Sequence, residues 1–165
     1  MDYKESQEEF IQLWGSLGSN WGISKAMAQI HALLLSIENP VSTDEIMEAL
    51  TMSRSNANLN IRTLLDWGLI YRKSLAGDRK EYFVAEKDIW QVAVKIIKER
   101  RRREIEPLIK NLKDLSGFET SNFEEKNFKN VLQSIVDNAE RLNGMANMVE
   151  QLDRLNFLKW ISSSK

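Results

Sequence analysis

Cysteine is absent from the 165 residues, which excludes disulfides, thiolate metal sites and thiol nucleophiles. One histidine, His31, leaves a histidine-rich metal site or a His-based triad without material. Neither a Gly-rich phosphate loop nor a metal-spaced ligand set occurs, and acidic pairs such as Glu8–Glu9 and Glu124–Glu125 read as solvated. The expectation is therefore no catalytic residues, no metal and no cofactor: not an enzyme. No apolar run approaches the ~20 residues of a membrane span. The opening MDYKESQEEF is acidic and lacks the basic and apolar regions of a signal peptide, so a cytoplasmic protein without membrane partners is expected. With two prolines and seven glycines, loops are few and short.

What is present is a chain that is 42% hydrophobic, enough for a real core, and 28% charged. The net charge of −1 is unevenly spread: −6 over residues 1–50, +4 over 51–80, +2 over 81–110 and −1 over 111–165. A basic middle in an acidic chain is a local footprint for an anionic partner.

Helical periodicity dominates. Phe10, Leu13, Trp14 and Leu17 mark a first stripe, ended by GSN. Ser24 is a plausible N-cap for a second helix through Ile30, Leu33 and Leu34. STDE, Ser42 to Glu45, is a capping box ahead of a short helix carrying Ile46, Ala49 and Leu50. Ser53 caps the next helix, whose Ala57, Ile61, Leu64 and Leu65 fall on one face and whose end is marked by Gly68. LIYRKSL and RKEYFVA around AGD predict a hairpin. From Asp88 the helical period returns with Ile89, Ala93, Ile96 and Ile97, and Pro107 is expected to kink or restart the helix. SGFETSN reads as a loop. Phe128, Val131, Leu132, Ile135, Ala139 and Leu142 predict one further helix, and Met145, Met148, Val149, Leu152 and Leu155 a last one.

Two short helices joined by a tight turn and followed by a two-stranded hairpin form the winged helix-turn-helix pattern. The expected fold class is mainly α with a small β-hairpin wing, a winged helix-turn-helix with long dimerisation helices. The expected organisation is an N-terminal helix for packing or dimerisation (1–23), a winged DNA-binding domain (24–87) and a helical dimerisation and effector region (88–165).

SRSNANLNIRTLLDWGLI, GDRKEYFVAEKDIW and IIKERRRREIEP together resemble the GbsR/MarR-like transcriptional regulators, and WGISKAMAQIHALLL and STDEIMEAL fit the same family. The resemblance spans roughly residues 10 to 115. It implies a homodimeric winged-helix DNA-binding protein, and some members repress osmoprotectant genes and sense choline.

On this reading Ser53, Arg54, Ser55, Asn56 and Asn58 lead the recognition helix, with Arg62 one turn later; such side chains bond base edges and phosphates. Leu59 is apolar but off the stripe; of a thymine methyl contact and packing on the neighbouring helix, packing is expected. Arg72, Lys73, Arg79 and Lys80 form the wing around Gly77 and are expected to reach phosphate or the minor groove. The arginines of KERRRRE point in different directions and are expected mostly to pair with Glu99, Glu104 and Glu106. Five tryptophans are many. Trp14, Trp21, Trp67 and Trp90 are candidate residues of a cage for a quaternary ammonium effector, although core packing is the expected role of most tryptophans. The sum is a homodimeric regulator, expected to be a repressor, binding a pseudo-palindromic duplex and tuned by a small effector. The alternative is a winged-helix module for protein contacts without DNA binding.

Overall fold

The computed structural model describes residues 2–20 and 22–163, with side chains to Leu152. The element order is α1 (Tyr3–Asn20), α2 (Lys25–Ser36), β1 (Val41–Ser42), α3 (Thr43–Leu50), α4 (Arg54–Asp66), β2 (Ile70–Lys73), β3 (Tyr82–Ala85), α5 (Ile89–Arg100), a π-helical turn (Arg101–Ile105), α6 (Glu106–Leu115) and α7 (Phe123–Ser163). The chain divides into two compact units, Met1–Val92 and Ala93–Lys165.

In the first unit the cap signals work locally. Ser24 Oγ accepts from the Met27 N–H and Ser53 Oγ from the Asn56 N–H, so each supplies a partner for an amide that the helix itself leaves unbonded. At α3 the capping box is complete: Glu45 N–H donates to Ser42 Oγ while Ser42 N–H donates to the Glu45 carboxylate at 2.7 Å. The Ser42 hydroxyl and amide hold the Glu45 carboxyl below its ordinary range. Gly68, with φ of 68°, follows the C-cap of α4 and turns the chain into β2.

The three helices and the sheet close on one core. Ile30 and Leu34 of α2, Ile46 of α3, Leu64 of α4, Leu69, Ile70 of β2 and Phe83 of β3 are the large side chains sealed within it. The sheet has three antiparallel strands in the order β1-β3-β2, so the hairpin gains a third strand from just before α3, with Val41 opposite Phe83. Lys87, just after β3, donates to the carbonyls of Leu34, Leu35 and Ile37 at 2.7–3.1 Å. It places a positive charge at the end of α2, where unbonded carbonyls and the helix dipole favour one.

α1 packs on α2 through only part of the expected stripe: Trp14 faces α2, where it meets His31, but Leu13 and Leu17 do not. Ile11, Gly15 and Gly18 are buried, whereas Leu13 and Leu17 are exposed. A Cβ at Gly18 would lie 2.5 Å from Ala28 Cβ, so small residues, rather than large apolar ones, set how closely the helices approach.

In the second unit the α-helix restarts at Glu106 with Pro107 in its first turn, as expected of a proline whose missing N–H costs nothing there. The turn before it is widened, and the Glu106 N–H bonds to the Arg101 carbonyl five residues back. α7 is one continuous helix of 41 residues where two were expected. Asn122 caps its start by accepting from the Glu125 N–H at 2.9 Å. Its buried face is Leu132, Val136 and Ala139; the last two pack with Ile109 of α6, flanked by Ile105 and Leu112. The arginine run pairs as its spacing predicts: Arg100 with Glu104, Arg102 and Arg103 with Glu99, and Arg101 with Glu106. Arg101 also forms an ion pair with Glu150 of α7, at 3.1 Å.

Candidate nucleic-acid interface

The α3–α4 turn is Thr51, Met52 and Ser53, and it closes through two backbone bonds to the end of α3, Thr51 N–H to the Glu48 carbonyl and Met52 N–H to the Met47 carbonyl. Ala57, Asn60, Ile61 and Leu64 anchor α4 in the core, which turns the opposite side of the helix outward. Arg54, Ser55, Asn56 and Arg62 are exposed there, and Asn58 is half-buried.

Ser53 and Asn56 each have a definite local partner. Ser53 is occupied as the N-cap. Asn56 Oδ1 accepts from Asn60 Nδ2 at 2.8 Å. Asn60 was not among the expected residues. It is buried, donates to the Asn56 carbonyl, and through its own Oδ1 accepts from the Ser24 hydroxyl at 2.7 Å. A chain of side-chain bonds thus runs from the cap of α2 to the leading turn of α4. The signal in the sequence was an asparagine on an otherwise apolar stripe, since a buried amide needs partners.

Helix and hairpin are brought together twice. Asp44 of α3 lies 2.5 Å from the Arg54 guanidinium and 3.8 Å from the Lys80 ammonium. Arg62 and Arg72 line one open groove of about 520 Å³ with Leu65, Asp66, Gly68, Ile70 and Tyr71. Arg72 also meets Glu81, the residue just before β3, at 3.1 Å. Lys73, Arg79 and Lys80 are exposed. At the tip Gly77 takes a φ of 85°, and Asp78 accepts from the Tyr82 hydroxyl and the Lys80 N–H, which holds its carboxyl below the ordinary range. The six basic side chains on α4 and the hairpin are all solvent-facing, available to a polyanion.

Leu59 departs from expectation. It does not pack on a neighbouring helix but stands 66% exposed on the outer side of α4.

The candidate effector tryptophans are dispersed over the elements. Trp14 on α1 is half-buried; its Nε1 donates to His31 Nδ1 at 3.3 Å and its ring lies against Phe10 and His31. That bond puts the His31 hydrogen on Nε2. Burial lowers the His31 pKa to about 4, so the ring is neutral at pH 7. Trp67 is half-buried at the C-cap of α4, and Trp90 is exposed at the start of α5. Trp21 lies outside the described residues.

No family model and no curated protein matches the chain. Among solved structures it is similar to a crystal structure described as a transcriptional regulator, at 18% identity and a TM-score of 0.67, covering 90% of this chain and 99% of that one. Two others align less closely. MepR of S. aureus in a DNA-binding conformation has 16% identity, 82% and 94% coverage and a TM-score of 0.42. Tm0710 of Thermotoga maritima, also described as a transcriptional regulator, has 21% identity, 79% and 87% coverage and a TM-score of 0.39. At such identities the likeness is one of fold: the chain has the winged helix-turn-helix fold of a solved transcriptional regulator.

Proposed function

We propose that this chain is a sequence-specific DNA-binding transcriptional regulator, acting as a homodimer and as a repressor, and that it works by binding rather than catalysis. The observation that carries the reading is the joining of α4 and the hairpin into one exposed basic surface, by Asp44 between Arg54 and Lys80 and by the groove shared by Arg62 and Arg72. A helix presented by its polar, N-capped leading turns suits the major groove, and the charged hairpin beside it suits phosphates. A protein-docking surface would favour a more apolar outer face on α4, whereas all but Leu59 among its exposed residues are polar or charged.

The support for a homodimer lies on α7. Beside its buried face runs a second apolar line at heptad spacing, Phe128, Val131, Ile135, Leu142, Met145 and Leu152, all exposed, with Asn138 at the one polar position between Ile135 and Leu142. A second copy of the same helix covers such a line, and a single asparagine in it sets register. Two-fold related α4 helices would then read half-sites about 34 Å apart. A quaternary ammonium is the effector proposed for the tryptophans, on the attraction of indole faces for a cation that cannot lose a proton.

Selection of duplexes from a random library, followed by anisotropy titration across salt, tests the function. A pseudo-palindromic consensus and a log–log salt slope of several units are expected. Binding that is absent, or equal for all sequences, overturns the reading. Sedimentation showing only monomer at micromolar concentration overturns the homodimer. Choline or glycine betaine leaving both tryptophan fluorescence and duplex affinity unchanged removes the effector.

A further inference from the structure

We propose that Leu59 is a specificity-determining residue that reads the C5-methyl group of a thymine in each half-site; the inference rests on the DNA-binding reading above. Leu59 lies two residues from Ala57, about 200° around the helix, and so opposite the buried line of Ala57, Ile61 and Leu64. Its neighbours on the same outer ridge are Ser55, one turn before, and Arg62, one turn after, both exposed. An isobutyl group at the centre of the surface that faces the groove is 66% exposed and flanked by groups that bond phosphates and polar base edges.

The major groove offers a leucine one methyl, that of thymine; guanine, cytosine and adenine present acceptors and donors there but no methyl. Leu59 therefore discriminates in two ways. It gains by burying its own surface against a methyl, and it rejects the other bases by removing water from their polar edges without replacing the hydrogen bonds. Ser55 and Arg62 on either side fix the depth and direction of approach through bonds to the backbone or to adjacent bases. A polar side chain at position 59 would give up this preference and gain one for a different base.

The test uses the full chain and a duplex recovered by selection from a random library. Each thymine of one half-site is replaced singly by deoxyuridine, which removes the methyl and nothing else. At one position the parent is expected to bind the uracil duplex about fourfold more weakly, the effect of one buried methylene-sized group, while Leu59→Ala binds the two duplexes equally. The uracil arm needs no altered protein, and alanine at an exposed helical position raises helix propensity, so folding is preserved. The proposal is overturned, with DNA binding intact, if the parent distinguishes thymine from uracil at no position or if Leu59→Ala keeps the parent's discrimination. If no duplex is selected by the parent, the DNA-binding reading fails and this one with it.

Discussion

The carboxylate of Asp44 accepts from the guanidinium of Arg54 at 2.5 Å, so an acid on the helix before the turn neutralises the first residue of the helix after it. Lys80 of the hairpin lies 3.8 Å from the same carboxylate. Both contacts are well exposed to water and so contribute little to folding, on the order of 0–1 kcal/mol. Their consequence lies elsewhere: a polyanion approaching this surface competes with an internal counter-ion. Asp44→Asn is expected to change the unfolding free energy by less than about 1 kcal/mol. It should tighten duplex binding and steepen its salt dependence by about one unit, as one more unpaired cation meets phosphate. Anisotropy titrations at three or more salt concentrations check this; unchanged affinity and slope would show that Asp44 does not restrain Arg54.

His31 is a direct pH probe because it is the chain's one imidazole. Its folded pKa of about 4 lies below the unfolded value of about 6.5. The unfolded chain therefore binds a proton between those values while the folded chain does not. The corresponding stability is complete above pH 6.5 and is lost as pH falls towards 4, by up to about 3 kcal/mol. The imidazole signals in an NMR titration should stay in the neutral position at pH 5.5. His31→Gln, which retains an acceptor for Trp14, should flatten the fall in denaturant midpoint between pH 7 and 4.5. A normal titration near 6.5 would show that the ring is hydrated.

Gly18→Ala should run against helix propensity. Alanine in a helix is ordinarily better than glycine by about 1 kcal/mol. Here the added Cβ would sit 2.5 Å from Ala28 Cβ and 3.0 Å from Ile23. Overpacking then dominates, with an expected loss of about 1–3 kcal/mol in denaturant unfolding. A gain in stability would show that α1 shifts on α2 at no cost.

Thr51 in the helix–helix turn has φ of 50° and ψ of 49°, a left-handed conformation that a β-branched residue adopts with strain. Thr51→Gly removes the clash while raising the entropy of the unfolded chain. A net gain of about 0.5–1 kcal/mol is expected from the balance, read as a higher thermal midpoint; a lower one would assign the hydroxyl or methyl a role in packing.

The sequence by itself determined the elements whose signals are local. Ser24, Ser42 with Glu45, Ser53 and Gly68 mark helix ends because a cap is made between residues three or four apart; the structure places an N-cap at each serine and Gly68 just after the C-cap of α4. The 3.6-residue period found α2, α3 and α4, and paired polar and β-prone runs found the hairpin, because both depend on neighbours along the chain. What only the tertiary structure decided depends on partners distant in sequence. Val41 and Ser42 became a third strand because Phe83 and Tyr82 lie beside them, and two residues carry no period of their own. α1 turned its glycines inward and left Leu13 and Leu17 exposed because close approach to Ala28, not apolarity, chose its face. The apolar residues read as two C-terminal helices proved to be one, with Leu132, Val136 and Ala139 covered and the heptad line beside them open. Periodicity shows that a residue lies on a face, but whether another element covers that face is settled only by packing. The same reason left Leu59 standing in solvent at the centre of α4's outer surface.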